Sequence, residues 1–300
     1  FEDYGVRGFV TTAKDNLSTF AVDVDTGSYT VARNYVQDGW LPPEDAVRAE
    51  EFVNYFDYKY PNPAADETFG ISVDGAPSPF AERQANRMLR VGIQGYSVPA
   101  DERQDVALTF VIDVSGSMDM ENRLGLAKRA LYLLVNELRP TDSVAIVVYG
   151  TNARTVLDMT PVSEKQVILN AINQVYAEGS TNAAAGLWLG YRLASEHFNP
   201  EATNRVILLS DGVANVGVTG PGEILDVIKR HAKEGITLTT VGLGMGNYND
   251  TLMEQLADDG DGFYAYVDSM KEAARLFVDE LTSTLLTIAK DAKIQVEFNP

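Results

Sequence analysis

The 300-residue chain contains no cysteine and only two histidines. Without cysteine there can be no disulfide, zinc-thiolate site or thiol nucleophile, although this absence does not identify a cellular compartment. Apolar runs stay well short of the roughly eighteen residues of a membrane-spanning helix, and the first residues do not join a basic segment to an apolar one. We therefore expect neither a transmembrane helix nor a signal peptide in this sequence.

Basic residues are also scarce, because 24 Lys and Arg stand against 43 Asp and Glu and leave a formal charge of -19. Such a charge repels nucleic acid and anionic lipid, and it concentrates divalent cations near the surface. We therefore expect no nucleic-acid or membrane-surface partner. The length and the 45% hydrophobic content suit one large domain or two modest ones.

Residues 105–289 alternate buried strands with amphipathic helices. The run 106–114 is rich in β-branched and aromatic residues, which is typical of a strand covered on both faces, and 123–138 carries an apolar helical stripe that ends at Pro140. Further strands are predicted at 143–149, 153–159, 205–210, 237–243 and 263–267, and further helices at 163–175, 183–197, 222–234, 250–257 and 270–289. This order predicts an α/β fold with a doubly wound, mostly parallel sheet.

The first hundred residues follow a different pattern. Helices are predicted at 28–39 and 44–55, followed by antiparallel strands within 69–95. The last residues, 293–298, alternate again, and we expect them to pair with the strands near 69–95. The expected organisation is therefore an N-terminal helical segment with a β-rich module (1–104), an α/β domain (105–289), and a C-terminal strand (290–300) that returns to complete this small second module.

Short polar side chains gather where the predicted strands end. Asp113, Ser115 and Ser117 follow the first buried strand, Asp211 ends the strand at 205–210, and Thr181 lies in a loop between helices. Ligands collect beyond the carboxyl ends of strands in open α/β sheets, so these loops should open on one edge. An oxygen-only set suits a hard cation, Mg²⁺ first and Mn²⁺ or Ca²⁺ after it.

These motifs together resemble the metal-ion-dependent adhesion site (MIDAS) of von Willebrand factor type A (VWA) domains: DVSGS at 113–117, GSTN at 179–182 and SDG at 210–212. The resemblance implies a Rossmann-like fold in which Ser115 and Ser117 bind the metal directly. Thr181 would bind directly or through water, and Asp113 and Asp211 largely through water. The metal then keeps much of its charge, and an acidic residue of a protein ligand completes its coordination.

The resemblance covers nearly the whole chain. Residues 20–61 and 239–268 look like segments of a bacterial VWA subfamily whose members are commonly secreted or lipoproteins. It implies an extracytoplasmic location, secreted or anchored to the cell envelope, with the targeting segment absent from this chain. The expected function is divalent-cation-dependent protein binding in cell adhesion or scaffolding, without catalysis.

Two other functions stay open on the sequence. A metal-dependent hydrolase could use the same cation as a Lewis acid, but the motif loops offer no histidine, lysine or glutamate as general base. An assembly subunit could dock on an ATPase partner, which would have to supply the ATP-binding motif that this chain lacks.

Two acidic clusters outside the motif receive structural interpretations. Asp23, Asp25 and Gly27 in DVDTGS imitate a calcium loop but lack its later ligands, so a strand end followed by a helix N-cap at Ser28 is preferred. The cluster at 258–261 is interpreted as a turn between helix and strand.

Glycines and histidines outside the motif are also interpreted as structural. Gly242, Gly244 and Gly246 do not match a dinucleotide or phosphate-binding loop. His197 and His231 lie near predicted helix ends, where a charged imidazolium would complement the helix dipole. A serine-histidine-aspartate triad needs its members to meet only in space, and this alternative stays open.

Overall fold

The structure, a computed structural model, describes residues 8–22, 24–80, 86–99, 102–212, 221–244, 250–279, 288–289 and 292–299. These residues form the strands β1 (Leu17–Ala21), β2 (Phe69–Pro77), β3 (Arg87–Gly95), β4 (Val106–Asp113), β5 (Ser143–Tyr149), β6 (Ala153–Pro161), β7 (Thr203–Ser210), β8 (Ile236–Leu243), β9 (Tyr264–Val267) and β10 (Lys293–Glu297). The α-helices are α1 (Gly27–Gln37), α2 (Ala49–Asn54), α3 (Arg123–Glu137), α4 (Lys165–Asn173), α5 (Ala183–Glu196), α6 (Pro221–Lys233), α7 (Asp250–Asp259) and α8 (Met270–Ala274). Short 3₁₀ segments occupy Glu44–Ala46, Gly116–Asn122 and Val162–Glu164.

Six strands form the central sheet in the order β6-β5-β4-β7-β8-β9. All neighbouring pairs are parallel except the edge strand β6, which runs antiparallel to β5. Every residue of β4 and β8 is buried, as expected for strands that helices cover on both faces. The predicted α/β fold with a doubly wound, mostly parallel sheet is confirmed.

Alternate residues of each central strand face opposite layers of helices. Phe110 and Ile112 of β4 pack in a core with α3 and α4, whereas Val111 packs in a second core with Leu187 and Tyr191 of α5. The two cores are the consequence of the period of two along a strand. With both faces filled, the loops at the ends of the strands carry the polar groups.

The N-terminal segment lies against β9 at the edge of the sheet. The Asp25 carboxylate accepts a hydrogen bond from the Tyr264 backbone N-H at 2.9 Å. Gly27 packs so closely on the Tyr264 ring that a Cβ there would overlap it. The expected N-cap at Ser28 is wrong: the helix begins at Gly27 after Thr26, and the Ser28 hydroxyl donates to Ala46 O at 2.6 Å.

Two sequence-based expectations about the terminal segments are corrected. The expected small sheet of N- and C-terminal segments is present, because β10 pairs antiparallel with β1. However, β2 and β3 pair with each other, so the C-terminal strand does not join the strands at 69–95. Alternation marks a strand but does not select its partner, and β1 lies outside the strands predicted from the sequence. The expected helix at 44–55 is broken into a 3₁₀ turn and α2, because Val47 and Arg48 are extended.

The helix expected at 270–289 is described only in its first part. Met270–Ala274 is α-helical and Arg275–Asp279 is a π-helical turn. Residues 280–287 lie outside the described residues. None of the helices in the part of the chain that the structure describes is long and apolar enough to cross a membrane.

Candidate metal centre

Asp113 is the last residue of β4, and its side chain is fully buried under the loop that follows. Its Oδ1 accepts the Ser115 backbone N-H at 2.8 Å, and its Oδ2 accepts the Ser210 hydroxyl at 3.0 Å and the Tyr149 hydroxyl at 3.3 Å. Burial raises the pKa of the Asp113 carboxyl and the charge of Asp211 adds to this, whereas the bonds from Ser115 and Ser210 oppose it. The carboxylate is therefore held in one orientation by three donors.

The two serines of the motif lie side by side just after Asp113. Their Oγ atoms are 3.1 Å apart. Ser115 is buried and Ser117 is partly exposed at the start of the 3₁₀ segment Gly116–Asn122. This places two hydroxyl oxygens on the same side of the loop, one of them reachable from solvent.

The loop that carries Thr181 is hydrogen-bonded to the serine loop. Gly116 N donates to Gly179 O at 3.2 Å, and Glu178 N donates to Val114 O at 2.5 Å. Gly179 has a φ of +75°, a left-handed conformation that favours glycine. Partly buried Thr181 follows two residues later, so its loop is fixed at the same edge of the sheet.

Asp211 follows β7, the neighbour of β4, and its side chain is buried. Its Oδ2 accepts a hydrogen bond from Nη1 of Arg123 at 3.0 Å. Sequence reasoning missed this arginine, which is 88 residues away from Asp211 in the chain. One signal was available in the sequence. Arg123 is the first residue of α3, where the helix dipole disfavours a cation, so an arginine there indicates a compensating contact with an acidic group.

Two family models match the sequence. One described as von Willebrand factor matches residues 1–90, and one described as von Willebrand factor type A domain matches residues 107–280. The second match spans more than half of the chain. The chain belongs to the von Willebrand factor type A domain family.

Relatives of this VWA chain include bacterial and animal proteins. The uncharacterized Escherichia coli (strain K12) protein YfbK is 42% identical over 295 residues, which is 96% of this chain and 51% of YfbK. Human inter-alpha-trypsin inhibitor heavy chain H3 is 29% identical over 192 residues, covering 60% of this chain and 21% of the heavy chain. The chain thus spans about half of YfbK and about a fifth of the heavy chain.

Solved structures share the VWA fold. A von Willebrand factor type A protein from Catenulispora acidiphila has a TM-score of 0.54 at 19% identity. The match covers 76% of this chain and 51% of the Catenulispora chain. Proximal thread matrix protein 1 from the mussel byssus, described with a zinc-occupied MIDAS motif, has a TM-score of 0.51 at 23% identity. The match covers 60% of this chain and 46% of the mussel chain. At these identities the likeness concerns the fold.

The donor chemistry at the edge of the VWA sheet fits a hard divalent cation. Hydroxyl and carboxylate oxygens are the ligands that Mg²⁺ and Ca²⁺ prefer. Within the described ranges no group of three or more His, Cys, Asp or Glu could hold a metal, so a cation here would depend on the serine hydroxyls together with the two carboxylates. Asp113 and Asp211 against one arginine leave the cluster negative, which favours a cation.

The acidic clusters outside the motif have structural roles in this VWA chain. Asp25 is bonded to the sheet edge, as described above, and Asp23 lies outside the described residues. Residues 260–262 form the turn between α7 and β9, and Asp259 pairs with Lys229 at 3.2 Å. Of the second cluster, Asp261 lies in the expected turn, whereas Asp258 and Asp259 end α7, which runs two residues further than predicted.

The structure also shows the surroundings of Gly244 and His197. Gly244, with φ of +82°, lies so close to the Arg123 side chain that a Cβ would overlap it, while 245–249 lie outside the described residues. His197 pairs with Asp158 at 3.0 Å, at the end of α5 away from the Thr181 loop.

Among the described residues, Ser195 is the serine that faces His231, and the two are not arranged as a catalytic relay. Ser195 Oγ and Glu234 Oε2 both face its Nδ1, at 3.5 and 3.0 Å, whereas a relay needs partners on the two different ring nitrogens. Burial lowers the pKa of His231 against an opposing effect of Glu234, which disfavours the charged imidazolium expected at this helix end.

Proposed function

We propose that this VWA chain binds a protein ligand through a divalent cation held at the carboxyl edge of its sheet. The residues that would hold the cation are Asp113, Ser115, Ser117, Thr181 and Asp211. Mg²⁺ is the expected ion, with Mn²⁺ and Ca²⁺ as alternatives of the same oxygen chemistry.

One observation carries this proposal: two loops and two strand ends with oxygen side chains meet at one edge. The Asp113 carboxylate is oriented by Ser115, the Ser115 and Ser117 hydroxyls are adjacent at 3.1 Å, and the loop of Thr181 is bonded to theirs. These contacts among the chain's own residues hold the donor oxygens in place, which lowers the ordering cost of binding a cation. A protein of the same fold is described with a zinc-occupied MIDAS motif, which supports the same use of this edge.

The cation would supply a positive charge that an acidic side chain of the partner can coordinate. The chain's own residues orient the hydroxyls and keep the two carboxylates buried, so that part of the charge is left for the partner. Because the chain itself carries a formal charge of -19, an acidic partner would be repelled by most of the surface and attracted only at the cation. The cation would thus decide where the partner binds.

The test is metal binding followed by partner binding. Wild type should bind Mg²⁺ or Mn²⁺ with one site per chain in calorimetry, and the double variant Ser115→Ala/Ser117→Ala should lose this binding while its circular dichroism spectrum stays unchanged. The double variant Ser163→Ala/Ser195→Ala is a matched control, because both of its serines are exposed and lie away from the site.

Partner binding should then follow the metal. Proteins captured from a lysate of the native source by wild type in Mg²⁺ should be lost in chelator and lost with the Ser115→Ala/Ser117→Ala variant. Stoichiometric metal binding by that variant, or capture that is equal in chelator, would contradict the proposal.

The described residues at this edge give no support to the hydrolase alternative. The groups that contact Asp113 are hydroxyls and a backbone amide, and both histidines are paired elsewhere with Asp158 and Glu234. An assembly role beside an ATPase partner uses the same cation-dependent contact, and identification of the captured protein distinguishes it from adhesion. We also propose an extracytoplasmic location, secreted or anchored to the envelope, from the resemblance to the bacterial subfamily.

A further inference from the structure

Arg123 places a cation of the chain's own inside the candidate metal centre. Its guanidinium contacts Asp211 at 3.0 Å, and both side chains are almost fully removed from solvent, at 6% and 0% exposure. A second nitrogen contacts Glu121 at 3.1 Å. Removing an arginine and a carboxylate from water is costly unless each is paired with the other, so this contact has a strong electrostatic reason to persist.

The surrounding backbone is arranged to admit this side chain. Arg123 is the first residue of α3, where the helix dipole disfavours a positive charge. Gly244 packs directly on the guanidinium in a left-handed conformation, leaving the room that a side chain would fill. Unfavourable placement at a helix end and a glycine that makes space both point to a role of the arginine at the Asp211 carboxylate.

We propose that Arg123 is a positioning residue that acts as the built-in counter-cation of the site. It neutralises Asp211 when no metal is bound, and it weakens divalent-cation binding by repulsion and by occupying the carboxylate. The affinity for the cation is thereby lower than the donor set alone would give. This inference rests on the proposed function, since it concerns the same cation.

The physical basis is competition for two buried carboxylates. Asp113 ends β4, Asp211 follows the neighbouring strand β7, and both residues are buried. With Arg123 present, one positive charge already lies beside Asp211 when a divalent ion enters, and like charges at short range in a buried site repel strongly. Removing the guanidinium should increase the repulsion between the two carboxylates, which destabilises the metal-free protein and strengthens its attraction for a cation.

The experiment measures Mn²⁺ affinity and stability for Arg123→Gln, with Arg123→Lys and Arg129→Gln as comparisons. Lysine keeps the charge but not the planar guanidinium, and Arg129 is an exposed residue of the same helix whose replacement makes the same change in net charge. Arg123→Gln should bind Mn²⁺ about tenfold more tightly than wild type. Both comparison variants should stay within about threefold of wild type, because the lysine keeps the charge and Arg129 is screened by solvent.

Stability in chelator gives a second, metal-independent measurement. In chelator, Arg123→Gln should unfold at a lower urea concentration than Arg129→Gln. Adding Mn²⁺ should stabilise Arg123→Gln by more than it stabilises wild type. If Arg123→Gln does not fold in chelator, Arg123→Gln/Asp211→Asn should fold, because both members of the Arg123–Asp211 pair are then neutral. Failure of both to fold would overturn the electrostatic role in favour of a steric one.

The outcomes separate this inference from the proposed function. Wild-type Mn²⁺ binding that Arg123→Gln leaves unchanged or weakens would overturn the inference alone. No Mn²⁺ binding by either protein would overturn both.

Discussion

Asp113 has three hydrogen-bond donors around it, and these determine what its loss should do in the metal-free protein. Two carboxylates in one site repel, so a charge argument alone predicts that removing Asp113 leaves the protein no less stable. The structure adds that its carboxylate satisfies the buried Ser115 N-H, the Ser210 hydroxyl and the Tyr149 hydroxyl. Arg123 moreover offsets part of the repulsion by pairing with Asp211.

Asp113→Ala and Asp113→Asn should therefore differ in stability when a chelator keeps the protein metal-free. Alanine leaves buried donors without an acceptor, which costs about 1–3 kcal/mol for an unsatisfied group, whereas asparagine keeps an oxygen for the Ser115 N-H. Urea unfolding in chelator should place Asp113→Asn near wild type and Asp113→Ala clearly below it. Equal stability of the two variants would show that the hydrogen bonds contribute little.

Both Asp113 variants should lose the response to magnesium. A ligand at about a hundred times its dissociation constant stabilises the native state by about 2.7 kcal/mol, or several degrees of melting temperature for a chain of this size. Wild type should show this shift with Mg²⁺ in a thermal melt, and the variants should lose most of it. A full shift in Asp113→Asn would remove this carboxylate from the proposed site.

At the scale of elements, α6 contacts α5 through His231, whose neutral form is favoured by its surroundings. The His231 ring stacks on buried Tyr191 with centroids 4.7 Å apart and planes at 10°. Burial lowers the pKa of His231 and the charge of Arg230 lowers it further, against an opposing effect of Glu234. Below about pH 6.5, the ordinary value for histidine, the unfolded chain therefore takes up a proton that the native protein resists.

The sign of the resulting pH dependence follows from this difference. Where the unfolded state binds more protons, stability rises with pH. The contribution of His231 is thus fully present above the unfolded pKa and is lost as the pH falls through the lower folded value. His231→Phe keeps a ring on Tyr191 but cannot titrate, so urea unfolding at pH 7.5 and 5.5 should show a smaller loss in the variant. Parallel losses in both proteins would contradict this account.

The N-terminal segment is attached to the VWA domain by buried ionic contacts. Arg48 pairs with Glu51 at 2.9 Å and also contacts Glu254 of α7, while Glu51 accepts the Ser28 N-H at 2.7 Å. The side chains of Arg48 and Glu51 are 7% and 1% exposed, so solvent screens their interaction little. Arg48 therefore contacts two carboxylates, those of Glu51 and Glu254, which would otherwise repel each other.

Arg48→Met should consequently destabilise the protein by about 3–5 kcal/mol, because it leaves buried carboxylates without their cation. Arg192→Met is a matched control, since its pairing with Glu196 within α5 is exposed and contributes about 0.3–0.5 kcal/mol. Urea unfolding of both variants measures the difference. Similar midpoints would mean that the Arg48 cluster adds no more than a surface pair.

The elements that could be predicted from sequence are those with local causes. The run 106–114 is apolar throughout because helices cover both faces of β4, and Asp113 ends it at the edge where ligands collect. The partner of β10 depends on a strand more than 270 residues away in sequence, and the break at 47–48 depends on contacts of Arg48 with another helix. Arg123 was missed for the same reason, because its partner Asp211 is close only in the folded chain.

At the scale of the whole molecule, a formal charge of -19 opposes the compact state everywhere, not only at the candidate site. Self-repulsion of this kind is screened by any salt, with a Debye length of about 8 Å at physiological ionic strength. Divalent cations should therefore stabilise the protein in two ways. One is general screening, which NaCl also provides, and the other is binding at the edge of the sheet.

These two contributions can be separated with the Ser115→Ala/Ser117→Ala variant. Raising NaCl should increase the melting temperature of wild type and variant by the same amount, because neither serine carries charge. MgCl₂ at matched ionic strength should add a further increase in wild type only, since the specific term follows the binding relation of a ligand to the native state. If the variant gains as much from MgCl₂ as wild type does, the effect of magnesium is diffuse attraction to an acidic surface, and the edge of the sheet has no special role in it.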